Sequence, residues 1–445
     1  MSRKEAHDLW RDYVNPDIVR LLEAFDFGRE FVRAQGTMLY DEAGGEYTDF
    51  LAGFGVHNVG HNHPRLVGAL RSALDSSPSS MLNVDAPATV GRLARKLTSL
   101  THRRLCRSAL ANSGAEAVEM AIKAARLATG RDMFVACEGG YHGLTTGSLA
   151  LLGAAEIRGR FGPLLPAAFV PFGDAAAVEK ACRQHRPAAV FVEPIQGEGG
   201  IRVPPAGYLA ELGGICRHSG ALLVVDEIQT GLGRCGTMFA TDFAAVVPDI
   251  LLVGKALSGG LVPIAAAMLT DDVWRAAFSG PERCTLTAST FAGGRLAVTA
   301  ALEVLSIVEQ EELPRRATES GGLLREGLEQ LAGRHKIVAA VRGQGLLAGL
   351  EFREPAGLLI RGVPAWARRG LYSQVVAAVL LRDHRILTQP CSLAPSVLRL
   401  EPPLTIRQDE ISRLLGALDV TLAEYPSHTS AAIAAFRAAV LRRGL

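Results

Sequence analysis

The chain has 445 residues, 48% of them hydrophobic and 21% charged, with a formal net charge of +2. This composition excludes a disordered or fibrous chain and supplies a sizeable core, while the small charge gives no footing for nucleic acid or an anionic membrane. The partners expected are small molecules.

The N-terminus, MSRKEAHDLWRDYVNPDIV, lacks the apolar core of a signal peptide, and no uncharged apolar run approaches membrane-spanning length. Seven scattered cysteines, an odd count without a CxxC pair, predict reduced thiols, with neither a disulfide framework nor a metal site. A cytoplasmic location is expected. Residues 1–30 read as one or two amphipathic helices broken near Asn15-Pro16, and the pieces around Gly44-Gly45 read as a hairpin. The segment closes at HNVGHNHP, so 1–61 forms an N-terminal unit expected to pack with the smaller domain.

From 62 to 310 the pattern alternates. RLVGALRSAL and AEAVEMAIKAARLAT have helical spacing, whereas DMFVAC, AAVFVEP, ALLVVDE and ILLVGK are short apolar runs. Apolar strands alternating with helices predict an α/β domain with a mostly parallel central sheet and helices on both faces. From 311 to 445 the texture is that of a smaller α+β domain. ESGGLLREGLEQLAGRH is helical, KIVAAVRGQGLLAGLEF reads as paired strands, RQDEISRLLGALDVTLAEY is another helix and SAAIAAFRAAVLRRGL forms a final one.

Within VVDEIQTGLGRCG two signals compete. Gly231, Gly233 and Gly236 have dinucleotide-turn spacing, but the strand ends five residues before Gly231 and no helix start follows Gly236. Asp226, at the end of an apolar run, instead points into the ligand crevice of a parallel sheet, where it needs a cation such as a protonated ring nitrogen. The alternative is a helix-cap or loop aspartate. Lys255 ends another apolar run; desolvation there lowers its pKa and frees a nucleophilic amine, unless its head reaches water. Ser113, Gly114 and Ala115 open a helix after a strand, a ready phosphate site or a simple N-cap. Tyr141-His142, between glycines, offers a ring for stacking or for core packing. A phosphate, a flat ring with a basic nitrogen, and an aldehyde satisfy all four sites together. That ligand is pyridoxal 5′-phosphate.

These stretches, with VEPIQGEGG, STFAGG and LRLEPPL, resemble the class III, ornithine-type aminotransferases of fold type I over nearly the whole chain. The resemblance implies that Lys255 bonds the cofactor aldehyde as a Schiff base and that Asp226 keeps the ring nitrogen protonated. Gln229 would reach the ring 3-oxygen, while Ile228 and Tyr141 would cover its two faces, with His142 beside them. Ser113, Gly114 and Ala115 would bind the phosphate. Thr290 would reach the phosphate of a neighbouring subunit, implying a homodimer. Arg399 matches an arginine for a substrate α-carboxylate, and Glu198 a glutamate that pairs with it otherwise; as a bare residue, Arg399 also reads as a surface strand arginine. Leu144 stands where members acting on acidic substrates often have arginine. Cys235 replaces a usual threonine, and Gly294 marks a changed loop.

The function expected is transfer of an amino group between a primary amine or ω-amino acid donor and a carbonyl acceptor. Racemisation, aminomutation, decarboxylation or carbon–carbon bond formation with the same cofactor is the alternative. A ligand-binding protein on the same fold and a nicotinamide oxidoreductase are the further competitors.

Overall fold

The computed structural model describes residues 3–80, 85–354 and 365–433. Helices Arg3–Tyr13 and Pro16–Ala24 flank Asn15, whose side chain accepts from the backbone N–H of Asp17 and Ile18, so the break predicted there is a capped helix start. Strands β1 (Phe31–Gln35), β2 (Met38–Asp41) and β3 (Glu46–Asp49) form an antiparallel set. The β2–β3 turn is closed by Asp41 Oδ1, which accepts from Gly45 N–H at 2.6 Å and Ala43 N–H at 3.0 Å.

Seven strands build the central sheet: β4 (Arg107–Ala111), β5 (Phe134–Cys137), β6 (Ala167–Val170), β7 (Ala189–Val192), β8 (Leu222–Asp226), β9 (Ile250–Val253) and β10 (Ala265–Leu269). Their order is β4-β10-β9-β8-β7-β5-β6. Only β10 runs against its neighbours, so the C-terminal ends of the other six share one edge. Alternate residues face opposite sides. Val190, Val192, Leu223, Val225, Leu251 and Val253 join one buried cluster, whereas Phe191, Val224, Ile250 and Leu252 join another with the helix Gly114–Thr129. A sheet buried on both faces reads as continuous apolar runs, which explains the strand segments. The fold is an α/β fold of type I.

Beyond the helix Arg295–Gln310 come the helix Leu313–Arg334, β11 (Val338–Gln344) and β12 (Leu347–Phe352). The helix Ala365–Asp383, β13 (Ile386–Leu387), β14 (Gln389–Pro390), β15 (Val397–Leu400) and the helix Gln408–Glu424 follow. An antiparallel sheet, β11-β12-β15-β14, forms here, and β13 pairs with β3. One apolar cluster joins Phe27, Tyr47 and Phe50 to Leu350, Leu380 and Leu414 across this sequence distance. Most of the final helix expected from SAAIAAFRAAVLRRGL lies beyond residue 433, outside the described residues.

Candidate active site

The site forms where the strands end. Asp226 is the last residue of β8 and pairs in register with Leu252 of β9, three positions before Lys255. Its Oδ2 lies 2.8 Å from His142 Nδ1, and its Oδ1 accepts the Ile228 N–H at 3.0 Å. Burial alone would disfavour the His142 cation, but the hydrogen bond and charge of Asp226, with Glu193, outweigh it and raise the His142 pKa. The His142 ring also packs edge-on against Phe191, with centroids 5.9 Å apart.

Lys255 opens a single 3-10 turn, Lys255–Ser258, directly after Gly254. Its φ of +43° lies in the left-handed region, an uncommon conformation for lysine. Burial lowers its pKa; Glu401, Glu198 and Glu193 oppose this without cancelling it. The amine is therefore biased toward its neutral, nucleophilic form.

Ser113 caps the helix Gly114–Thr129, its Oγ accepting from Glu116 N–H at 3.2 Å. The cap and the anion site are compatible, because helix geometry leaves the Gly114 and Ala115 N–H groups without intrahelical acceptors. A Cβ on Gly114 would lie 2.9 Å from Ile228 Cδ1, and one on Gly143 (φ +118°) 2.7 Å from Ala115 Cβ. Glycine at these positions thus lets the Tyr141-His142-Gly143 loop and Ile228 close on the helix start. Tyr141 is partly buried, and its N–H donates to Glu193 Oε1 at 2.9 Å.

Arg399, on β15, is fully buried; its Nη2 lies 2.6 Å from Glu198 Oε2 and its Nη1 3.9 Å from Glu401 Oε2. Burial lowers the Arg399 pKa, but Cys391, Glu198 and Glu401 overcome this and raise it. Burial likewise pushes Glu198 up, but Arg399 and Ser392 pull it down to about 2. Gln229 Nε2 donates to Glu401 Oε2 at 2.9 Å, and the Arg399 guanidinium carbon sits 5.0 Å from the Phe54 ring centre. Leu144 is 63% exposed, so its position offers an apolar surface and no charge. Thr290 is exposed, next to Ser289, whose Oγ accepts from Asn112 Nδ2 at 3.0 Å.

Two site acids escaped the sequence reading. Glu193 follows β7 as Asp226 ends β8, so the same signal, an acid closing an apolar run, would have found it. It is buried, which raises its pKa to about 7, and it bridges the Tyr141 and Gly197 N–H groups. Glu401 stands two residues beyond Arg399 and carried no signal of its own. The glycine spacing in GLGRCG serves packing. A Cβ on Gly233 would lie 2.9 Å from Leu404 Cδ1, and one on Gly236 2.5 Å from Thr318 Oγ1. No helix begins until Ala240, which removes the dinucleotide reading. Among the described residues no group of three or more metal-binding side chains occurs.

A lowered-pKa lysine and a carboxylate at neighbouring strand ends, with a helix N-terminus beside an aromatic loop, fit a phosphorylated ring aldehyde. Fold and site together define a pyridoxal-phosphate-dependent enzyme of fold type I. The family model for class-III aminotransferases matches residues 26–422. The chain belongs to that family.

Among its relatives, putrescine aminotransferase of Pectobacterium atrosepticum is 37% identical over 428 residues, covering 93% of this chain and 87% of that protein. Aminotransferase PigE of a Serratia species is 33% identical over 451 residues, covering 94% of this chain. The chain spans only 53% of PigE. The crystal structure of ornithine aminotransferase from Toxoplasma gondii superposes with a TM-score of 0.82 at 31% identity, covering 95% of each chain. A second structure of that enzyme, at 32% identity and a TM-score of 0.77 over 88% of this chain and 90% of its own, has pyridoxal phosphate in its active site at partial occupancy. The chain is a pyridoxal-phosphate-dependent aminotransferase acting on a small-molecule amine and a carbonyl acceptor. No described helix is long and apolar enough to cross a membrane.

Proposed function

We propose that Lys255 and Asp226 carry the transfer and that the donor is an aliphatic primary amine or ω-amino acid. The observation that carries this is Lys255, its amine driven toward neutrality by burial, beside the strand end that bears Asp226. Pyridoxal phosphate supplies, when bound, an aldehyde that condenses with amines and a ring that draws electrons from the adjoining carbon. With the cofactor bound, Lys255 Nζ would serve as the base that takes the proton from the substrate carbon bearing the amine and gives it back later in the transfer. Asp226, oriented by His142 and the Ile228 N–H, would keep the ring nitrogen protonated.

Ser113, Gly114 and Ala115 bind the phosphate, Tyr141 and Ile228 cover the ring faces, and Gln229 reaches the 3-oxygen. Thr290 completes the phosphate site of a second subunit, making the working unit a homodimer. Arg399 receives a substrate α-carboxylate, and Glu198 covers it when the substrate has none. The exposed Leu144 offers no cation for the second carboxylate of a dicarboxylate substrate, and the names of the putrescine and ornithine relatives both contain an aliphatic amine. Seven free cysteines support a reducing, cytoplasmic setting.

Borohydride treatment of the holoenzyme should fix the cofactor to Lys255, and donor alone should convert it stoichiometrically to pyridoxamine phosphate. Lys255→Ala should abolish turnover. Labelling at another lysine, or full steady-state activity in that variant, would sink the assignment.

A further inference from the structure

Ser392 lies outside every matched motif, in the connection between β14 and β15, and is exposed. It donates twice to one oxygen of Glu198: Oγ to Oε2 at 2.6 Å and N–H to Oε2 at 3.0 Å. The same oxygen lies 2.6 Å from Arg399 Nη2, and the Leu393 N–H holds the Glu198 carbonyl at 3.1 Å. Among the described residues Glu198 is the one carboxylate within hydrogen-bond distance of the Arg399 guanidinium. A second anion arriving at Arg399 is repelled unless Glu198 withdraws, and withdrawal breaks the Ser392 bonds as well as the ion pair.

Resting on the reading of Arg399 as the carboxylate site, we propose that Ser392 is a specificity-determining residue. Its hydroxyl latches Glu198 over Arg399 and handicaps substrates that carry an α-carboxylate. Amines without a carboxylate leave the latch closed and meet no such penalty. The depressed Glu198 pKa agrees with a carboxylate seated by several donors. Hydrogen bonds to a charged acceptor are the stronger kind, so one hydroxyl is enough to shift the balance measurably.

The test is the Kd of pyruvate for the holoenzyme by titration calorimetry, set beside the Michaelis constant for the donor butane-1,4-diamine. Ser392→Ala should tighten pyruvate about ten-fold, the worth of one such hydrogen bond, without a matching fall in the Michaelis constant for the diamine. Ser392→Thr, which keeps the hydroxyl, should restore the parent value. In a Glu198→Gln background the effect of Ser392→Ala should shrink, as expected for coupled partners.

Pyruvate binding that is unchanged, weaker or undetectable in Ser392→Ala overturns the latch, and so does equal tightening for the diamine. Arg399→Gln separates the two levels. If it leaves pyruvate binding intact, the carboxylate site itself is wrong. If it abolishes binding while Ser392→Ala changes nothing, only the latch falls.

Discussion

Asp226 and Glu227 are neighbours in the chain with different work in the fold. Asp226 meets His142, whereas Glu227 turns away to cap the short helix at Ala240 through the N–H groups of Ala240 and Thr241, at 2.8 and 2.7 Å. Burial raises both Glu227 and Glu193 to about 7, above the ordinary 4.5. The native state therefore holds protons that the unfolded chain releases. Their stabilising effect is complete below about pH 4.5 and is lost as pH rises through about 7. Each contributes a slope of up to about 1.4 kcal/mol per pH unit in that window. Glu193→Gln should halve the combined loss in unfolding free energy, measured by urea titration at about pH 5 and about pH 8. A second prediction concerns Gly114. A methyl there meets the tip of Ile228 and drives it toward the ring face it is proposed to cover. Gly114→Ala should weaken cofactor binding about ten-fold on reconstitution of the apoenzyme, followed by absorbance.

At the scale of elements, the segment from Glu227 to Phe239 is held by a cation rather than by regular structure. Arg234 is fully buried and donates to the carbonyls of Leu346 at 3.0 Å and Pro402 at 2.5 Å, and to Asn58 Oδ1 at 2.5 Å. It thereby ties the β8 exit to the turn before β12, to the LRLEPPL stretch and to Asn58 near the start of the chain. Burial lowers its pKa, with Glu401 opposing. Arg234→Leu strands three buried acceptors and should cost about 3–5 kcal/mol, seen as a depressed melting temperature in the apoenzyme and holoenzyme alike. Ala265–Leu269, AAAML, shows what sequence pattern hides. Its alanines favour helix in isolation, yet it is buried and forms the antiparallel strand between β4 and β9. Packing decided that element, not propensity.

For the whole molecule, the exposed Phe291 (68%) and Leu286 (43%) flank Thr290, the residue proposed to serve a second subunit. If that surface is the subunit contact, the chain sediments at twice its own mass. Phe291→Glu should then shift it toward monomers and lower cofactor retention together; monomers that keep full retention would refute the shared site. The sequence by itself determined the alternation of strand and helix, the break at Asn15, and the positions of Asp226 and Lys255 at strand ends and of Ser113 at a helix start. Each of these placements depends on local order, an apolar run ending in a charge or a strand running into a cap, and local order is written in neighbouring letters. Only the tertiary structure decided that Glu193 bridges two site loops, that Arg234 and Glu401 are buried beneath the site, and that Ser392 sits on Glu198. Those contacts join residues far apart in the chain, and their energies come from burial and charge pairing, which exist only once distant segments have packed together.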